Sequence, residues 1–519
     1  MDIQATMTKT GIEGLDEILY GGIPRANMIL VQGAAGTGKT LMGVEFVYRG
    51  ITAYDEPGII VVFETNPTKL IRDAVLFGWE LEELQRQNKL KVIFTSPEVL
   101  ESELRSPNSL LLETAVEMGA RRIFIDGIGL LRPAPNDGVR LPGTGPGSYR
   151  ELLQQLLEGL QRGNLTAIFA HEVGFGDEAL STLASAGFLA DTVIELARDG
   201  GRRLGHRSIE IIKSRGQDYA PARHTLRITS GKGLQVFRRV QAPVTRNLDQ
   251  PTSTSKRSVI GVQALDDLIG GGLFEGSTTM VVGISGVGKT VLGTQLLREG
   301  VVKDGKRGLL VSLDEHPAQI VRNAETLGLD LREHIDSGMI HVLYESPQEL
   351  EIDSHFARIV RTVEENDIQR LVIDGVTSYS TAIDSQRSYR DFFQALVAYS
   401  KSRLMTTFFN YENPELFGIS SYMPESAVGS IVDNIILMSL VEIGSTLRRC
   451  IAVVKARGCN HEFDTREFTI GKGGIALRPI SPDDALPVLP IESYLSVLSR
   501  APARVTAGNG KSRTAKVGK

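Results

Sequence analysis

The sequence is poor in the features that mark extracellular, membrane-spanning or metal-clustered proteins. It has two cysteines in 519 residues, Cys450 and Cys459, and their spacing matches no metal or redox motif. No run approaches the ~18 apolar residues that a transmembrane helix needs. The first residues also lack a basic stretch followed by an apolar one. The sequence therefore predicts a cytoplasmic protein with neither a signal peptide nor a membrane span.

The chain also has no large excess of either positive or negative charge. The net charge is −5, and the chain contains a single tryptophan, so there is no general attraction to nucleic acid and little aromatic surface for stacking bases. We expect no nucleic-acid partner. The apolar fraction of 41% and the charged fraction of 23% are ordinary for a globular protein. At this length the chain can form two domains of roughly 240 residues each.

A long internal repeat organises the chain. Residues 11–40 and 261–290 align at an offset of 250 without a gap, and eleven of the 30 paired positions are identical. The copies stay aligned at 121–127 with 369–375 and at 209–216 with 451–458. A period this long indicates duplicated domains.

These matches predict a domain at residues 1–242, a linker at 243–257, a second domain at 258–485 and a C-terminal tail at 486–519. Residues 133–147, rich in Pro and Gly, predict a long loop in the first copy. Residues 501–519, at the end of the tail, are basic without apolar periodicity and are predicted to be disordered.

Short apolar runs rich in β-branched residues alternate with amphipathic helical stretches. MILVQG, IIVVF, RIFID, AIFAHE and TVIEL are typical of buried strands, whereas residues 148–163 show helical periodicity. This alternation predicts an α/β fold, in which each domain is a mostly parallel sheet flanked by helices.

Each copy contains the phosphate-binding pattern G-x-x-x-x-G-K-[ST], at residues 33–40 and 283–290. Each pattern follows an apolar strand and opens a helix, which is the context that the motif requires. The glycines let backbone N–H groups turn towards phosphate oxygens. Lys39 and Lys289 would neutralise phosphate, and Thr40 and Thr290 would ligate Mg²⁺.

Strand-end carboxylates accompany both loops. Asp126 and Asp374 end matched strands and suit Mg²⁺, although a helix-capping Asp is a common alternative. Glu64, Asp314 and Glu315 follow another matched pair of strands. Such acids could orient or deprotonate an attacking group, or could simply be solvated.

A K-x-R-G pattern closes a later strand in each copy. It places Lys213 with Arg215 and Lys455 with Arg457, two cations on one strand face. They could reach the nucleotide of a neighbouring subunit, although exposed strand-end cations are the alternative.

The double P-loop with its G-x-x-x-L-D-x-x-x-x-G-G lead-in, the IDG strands and the two K-x-R-G strands resemble the KaiC family of the RecA/DnaB-like superfamily over residues 8–480. Residues 77–92 and 422–443 are also similar to that family. The resemblance implies two RecA-like domains in a homo-hexamer with ATP and Mg²⁺ at subunit interfaces. It also implies a slow ATPase in the first ring, a serine/threonine autokinase in the second, a circadian timing role and KaiB-like partners.

Carried over to this chain, the resemblance implies three groups of site residues. Glu64 would be the hydrolytic carboxylate of the first ring, and Asp314 and Glu315 would stand where the kinase base stands. The implied ATP contacts are Gly33, Gly36, Thr37, Gly38, Lys39, Thr40, Leu41, Lys213, Arg215, Gly283, Gly286, Val287, Gly288, Lys289, Thr290, Val291, Arg449, Lys455 and Arg457.

The chain departs from the family pattern in three places. Thr65 follows Glu64 where the family has consecutive glutamates, and Asp314 stands where Glu is usual. The phospho-acceptor pair aligns with Gly429 and Ser430, and glycine has no hydroxyl. We therefore hypothesise a single-site phosphorylation switch at Ser430, with other acceptors available nearby at Ser420, Ser421 and Ser426.

Two other functions share the same core. A DNA-dependent motor or recombinase would need a basic or aromatic surface, which the composition does not favour. A nucleotide-gated scaffold would bind ATP, hydrolyse little of it and present its nucleotide state to partner proteins.

Overall fold

The computed structural model describes residues 7–64, 66–105, 109–130, 149–173, 187, 189–198, 206–241, 254–383, 385–413, 426–443 and 446–479. The chain forms two compact units that divide between Arg239 and Val240. Among the described residues, no helix has the length and apolar character needed to cross a membrane. The predicted loop at 133–147 and the predicted tail at 486–519 lie outside the described residues.

The first unit alternates strands and helices along the chain, as the apolar periodicity predicts. Its strands are β1 (Met7–Thr8), β2 (Ile23–Pro24), β3 (Met28–Gly33), β4 (Gly58–Val62), β5 (Leu90–Phe94), β6 (Arg122–Asp126), β7 (Thr166–Glu172), β8 (Thr192–Arg198), β9 (Arg207–Ser214), β10 (Arg223–Thr229) and β11 (Gly233–Phe237). Its helices are α1 (Leu15–Ile18), α2 (Lys39–Tyr54), α3 (Pro67–Val75), α4 (Leu81–Arg86), α5 (Pro97–Arg105), α6 (Leu110–Glu117) and α7 (Tyr149–Arg162).

The second unit repeats this order. Its strands are β12 (Arg257–Ser258), β13 (Leu273–Phe274), β14 (Thr278–Gly283), β15 (Gly308–Ser312), β16 (Ile340–Tyr344), β17 (Arg370–Asp374), β18 (Thr406–Glu412), β19 (Asn434–Ile443), β20 (Thr446–Ala456), β21 (Arg466–Gly471) and β22 (Gly474–Arg478). Its helices are α8 (Gln263–Leu268), α9 (Lys289–Asp304), α10 (Pro317–Thr326), α11 (Leu331–Asp336), α12 (Ile352–Asn366), α13 (Tyr379–Ala382), α14 (Gln386–Ser402) and α15 (Ser426–Ile431). Arg257, predicted as the last linker residue, already pairs with Phe274 in the β12–β13 ladder.

Each unit is built on one nine-stranded sheet. The strand orders are β11-β10-β9-β8-β3-β7-β6-β4-β5 and β16-β15-β17-β18-β14-β19-β20-β21-β22. In each sheet six neighbouring strands run parallel, and the other three extend it as an antiparallel meander. The predicted α/β fold of two mostly parallel sheets flanked by helices is confirmed, and the meander is an addition to it.

Both faces of the parallel strands are buried. In β4, Ile60 and Val62 belong to the cluster that packs against α2, whereas Ile59 and Val61 belong to the cluster on the opposite face. The second unit has the same two-sided arrangement. Because both faces are covered by helices, these strands read as continuous apolar runs rather than as alternating ones.

A buried arginine fixes the P-loop helix in each unit. The Arg122 guanidinium, 1% exposed, pairs with Glu56 at 2.6 Å and donates to the carbonyl of Phe46 in α2 at 2.9 Å. Arg370 likewise pairs with Asp304 at 2.9 Å and donates to the carbonyl of Leu296 in α9 at 2.6 Å. These contacts link the strand that ends in Asp126 or Asp374 to the helix that begins with the P-loop lysine of the same unit.

Candidate nucleotide sites

The two P-loops lie between a buried strand and a long helix, at the carboxyl ends of β3 and β14. Gly38 and Gly288, which precede α2 and α9, have φ angles of 112° and 122°. A Cβ at Gly38 would come within 2.9 Å of Ile228, and one at Gly288 within 2.7 Å of Ile470. The positive φ favours glycine at both positions, whereas the close contact in each case is with the tip of an isoleucine side chain, which can shift. The loop N–H groups and the helix N-terminus together form an anion-binding concavity.

The two P-loop lysines are buried against their own loops. Lys39 Nζ donates to the carbonyl oxygens of Gly33 and Ala34, each at 2.8 Å. Lys289 Nζ donates to the carbonyl of Gly283 at 2.9 Å and to that of Ile284 at 2.8 Å. Burial lowers the pKa of both ammonium groups. A phosphate in the loop would supply the negative charge that a partly desolvated ammonium lacks.

A hydroxyl–carboxylate pair stands beside each loop. Thr40 Oγ1 donates to Asp126 Oδ2, and Thr290 Oγ1 donates to Asp374 Oδ2, each at 2.8 Å. Burial raises the pKa of both aspartates. Hydroxyl and carboxylate oxygens are ligands that Mg²⁺ accepts, and binding the cation would offset the cost of burying the negative charge. The residues present therefore fit Mg²⁺ in both units.

In the second unit the loop opens into a cleft of about 300 Å³. This volume is at the small end of the range for ligand sites. Its lining combines polar side chains, among them Lys289, Thr290 and Asp374, with apolar ones, among them Leu327 and Leu329. The residues expected to contact ATP that line it are Gly286, Gly288, Lys289, Thr290 and Val291. A lining that offers both polar groups for phosphate and apolar groups for a flat base suits a nucleotide.

The carboxylates after β4 and β15 differ between the units. Glu64 is exposed, and Thr65 lies outside the described residues. Asp314 and Glu315 both line the second cleft. Burial and the neighbouring Asp374 and Asp314 raise the pKa of Glu315.

Asp314 is held in place by its surroundings. Ser378 Oγ donates to Asp314 Oδ1, and a Cβ on Gly375 would lie 2.4 Å from Asp314 Oδ2. The position matched to Ser378 in the first unit is Leu130, which has no hydroxyl. The two units therefore present chemically different carboxylates to their sites.

Sequence reasoning missed three polar residues beside the loops. Glu172 and Glu412 end β7 and β18; Glu172 lies 3.9 Å from Lys39 Nζ, and Glu412 lines the second cleft. Asn410 also lines that cleft and donates to Asp374 Oδ1 at 3.0 Å. The sequence does hold a signal for the two glutamates, because Glu172 and Glu412 occupy matched strand ends at an offset of 240.

The K-x-R-G cations lie away from the cleft of their own unit. Lys455 Nζ donates to the carbonyls of Gly429 and Val432 at 3.0 and 2.7 Å. Arg457 Nη2 donates to the carbonyl of Ser430 at 3.0 Å. In the first unit, Lys213 Nζ donates to the carbonyl of Ala190 at 2.6 Å. In both copies the strand ends at this pattern, at Ser214 and Ala456, so the lysine is the last cation within the strand and the arginine follows one residue beyond it.

The sheet separates Ser430 from the P-loop of the same unit. Ser430 is exposed on α15, just before Asp433, whose carboxylate accepts from the N–H of Thr278 at 3.0 Å. Thr278 begins β14, and the P-loop begins at the other end of that strand. At ~3.3 Å per residue, the two ends are about 16 Å apart. Ser420 and Ser421 lie outside the described residues.

Arg449 lies at the opposite end of β20 from Lys455. Arg449 pairs with Leu440 of β19. Leu440 lies two residues beyond Met438, which pairs with Gly283 of the P-loop. Lys455 pairs with Ile435 near the start of β19. Six residues of extended strand span about 20 Å. The structure therefore brings Lys455 and Arg457 together, but not Arg449 with them.

Comparison with known proteins agrees with this architecture. The family model for the KaiC ATPase matches residues 8–241 and again residues 259–481. A circadian clock oscillator protein KaiC of Rippkaea orientalis is 31% identical over 509 residues, which cover 96% of this chain and 92% of that protein. A KaiC of Parathermosynechococcus lividus is 30% identical over 505 residues, covering 96% and 88%. KaiC 1 of a Synechocystis strain is 29% identical over 506 residues, covering 96% and 92%. Because the family model matches both units in tandem, this chain belongs to the KaiC family of ATPases.

Proposed function

We propose that this KaiC-family ATPase binds ATP with Mg²⁺ in both domains, hydrolyses it in the first and transfers phosphate to Ser430 in the second. The domains are residues 1–242 and 258–485, joined by a linker at 243–257. In this proposal the protein acts in signalling or circadian-type timing. It is located in the cytoplasm and has KaiB-like or other clock proteins as partners.

The chain's own residues have distinct tasks in this scheme. Lys39 and Lys289 leave their loop carbonyls to contact phosphate oxygens, and the loop N–H groups bind the remaining ones. Thr40 with Asp126, and Thr290 with Asp374, hold Mg²⁺, which when bound screens the phosphate charge during transfer. Glu64 orients water in the first domain. In the second, Asp314 or Glu315 accepts the proton of the attacking hydroxyl.

One observation supports transfer between subunits. Ser430, Lys455 and Arg457 lie together near the amino ends of the parallel strands, whereas the P-loop of the same domain follows the carboxyl end of β14, a strand about 16 Å long. This placement at opposite ends of the strand argues against attack by Ser430 on the ATP of its own domain. If Ser430 is the acceptor, we assign the donor ATP to a neighbouring copy, in the homo-hexameric ring with ATP at the interfaces that the family resemblance implies.

The test is incubation of the pure protein with γ-labelled ATP and Mg²⁺, following both free phosphate and label on the protein. Wild type is expected to become labelled at one site, and Ser430→Ala to lose that label while still releasing phosphate from the first domain. A phosphate at Ser430 would add about −1.5 to −2 charges beside Arg457. Ser426→Ala tests the alternative acceptor on the same helix and is expected to keep the label.

The second candidate function, a nucleotide-gated scaffold, remains favoured by one observation. Gly429 removes one of the two acceptors implied by the family pattern. Phosphate release without label on either wild type or Ser430→Ala would contradict the autokinase. It would leave a tandem ATPase whose nucleotide state is read by partner proteins.

A further inference from the structure

One buried polar atom beside the second Mg²⁺ site has no partner. Asn410 is 1% exposed on β18, and its Nδ2 donates to Asp374 Oδ1 at 3.0 Å. Its Oδ1 is buried and has no hydrogen-bond partner within the part of the chain that the structure describes. The orientation of this amide follows from chemistry, because an ionised carboxylate can only accept and so must face the NH₂ group. A buried amide oxygen left unpaired is unfavourable unless something in the cleft donates to it.

The donor must come with the ligand. Asn410 lines the nucleotide cleft, and its buried oxygen is the polar atom of that side chain left without a hydrogen bond. The neighbouring Thr290 hydroxyl already donates to Asp374, and Lys289 Nζ is bonded to loop carbonyls. Ionised phosphate oxygens accept but do not donate. Water bound to a cation donates strongly, because the ion polarises its O–H bonds.

We propose that Asn410 is a positioning residue for Mg²⁺ in the second domain, accepting a hydrogen bond from a water of the ion's hydration shell. This inference rests on the proposed binding of Mg²⁺-ATP. Mg²⁺ dehydrates reluctantly and usually keeps several waters in protein sites. The two oxygens of Asp374 face Thr290 on one side and Asn410 on the other, so the three side chains form one continuous array.

Four acidic side chains line the cleft, Asp314, Glu315, Asp374 and Glu412, and of these Asp374 accepts from the P-loop hydroxyl of Thr290. Among the described residues, no group of three His, Cys, Asp or Glu side chains is arranged to hold a metal. Phosphate and water must therefore complete the coordination, and residues that orient the water tune the affinity.

The first domain lacks this device. Asp126 pairs across the sheet with Ala170, just as Asp374 pairs with Asn410. The methyl side chain of alanine offers no oxygen to accept from a bound water. The second domain should therefore load with Mg²⁺-nucleotide at a lower Mg²⁺ concentration than a domain with alanine at this position.

The test uses the full-length chain with Lys39→Ala, which leaves only the second P-loop intact. Mg²⁺ is titrated calorimetrically into this protein in the presence of a non-hydrolysable ATP analogue. Adding Asn410→Ala is expected to raise the Mg²⁺ concentration at half-saturation about tenfold, the usual effect of losing an outer-shell partner. Affinity for the analogue in EDTA is expected to stay unchanged.

The control is Asn434→Ala in the same background. Asn434 is another buried asparagine on a strand of the same sheet, and its Nδ2 donates to Thr279 Oγ1 at 3.0 Å. It is expected to leave the Mg²⁺ titration unchanged. An unchanged midpoint for Asn410→Ala, or an equal shift for both variants, would overturn the role of Asn410 alone. Failure of the Lys39→Ala protein to bind the analogue with Mg²⁺ would instead overturn the proposed function, and this inference with it.

Discussion

Replacing Lys289 with alanine is expected to weaken nucleotide binding in the second domain about 100-fold and to leave the first domain intact. The lysine is buried and would contact phosphate directly, and losing one partner of a buried charge pair typically costs about 2–5 kcal/mol. Lys39→Ala should have the mirror-image effect on the first domain. The double variant should bind no nucleotide at micromolar concentrations. Calorimetric titration with a non-hydrolysable ATP analogue measures each loss.

Lys303→Ala is the matched control for these variants. Lys303 lies on the same helix as Lys289, with its side chain 56% exposed and paired with Glu299 at 3.0 Å. Surface pairs of this kind contribute little, so its removal should leave both binding events intact. Equal affinity for nucleotide in wild type and the double P-loop variant would show that the loops are not the binding sites.

Glu45→Gln is expected to stabilise the first domain strongly at pH 8. Glu45 lies in the middle of α2, fully buried, and its Oε2 accepts from the N–H of Leu234 at 2.8 Å. Burial raises the pKa of this carboxyl from its ordinary 4.5 to about 7, although Arg49 opposes the shift. The matched residue in the second domain is the neutral Gln295, whose Oε1 accepts from the N–H of Ile475 in the same way.

The pH dependence follows from the direction of the shift. The folded state binds the proton more tightly than the unfolded state, so stability is highest when Glu45 is protonated in both, below about pH 4.5. Stability falls as the pH rises through 7, and the penalty then reaches about 3 kcal/mol. Glutamine keeps the acceptor for Leu234 without the charge. It should therefore raise the free energy of unfolding by about 2–3 kcal/mol at pH 8 and by little at pH 5.

The measurement is urea unfolding at pH 5 and pH 8, followed by the fluorescence of Trp79. Trp79 is the single tryptophan of the chain and is buried in the first unit, so it reports on that unit. Glu17→Gln, on the exposed side of α1, controls for the loss of one negative charge. Destabilisation by Glu45→Gln at both pH values would show that the ionised carboxylate is needed for packing.

The fold was largely predictable because its signals are local. A buried strand flanked by helices needs a continuous apolar run, and a phosphate loop needs its glycines and lysine at fixed spacing. The same logic placed Thr40 with Asp126 and Thr290 with Asp374, since strands that end at one edge of a parallel sheet bring their last residues together.

The rest could not be predicted because it depends on strand order. Asn410 is one of several polar residues in the strand TTFFNYE, and the placement of β18 between β14 and β17 brings it to Asp374. Arg449 and Lys455 are close in sequence, yet six residues of extended strand place them about 20 Å apart along β20. Residues that are close in sequence can therefore lie far apart in space when they share a long strand.

The most direct test of the account is the number of ATP-analogue molecules that one chain binds in the presence of Mg²⁺. Two complete P-loops, each with its Thr–Asp pair, predict two molecules per chain, falling to one in Lys39→Ala or Lys289→Ala. A wild-type chain that bound one molecule or none would contradict the claim that both domains are working nucleotide sites.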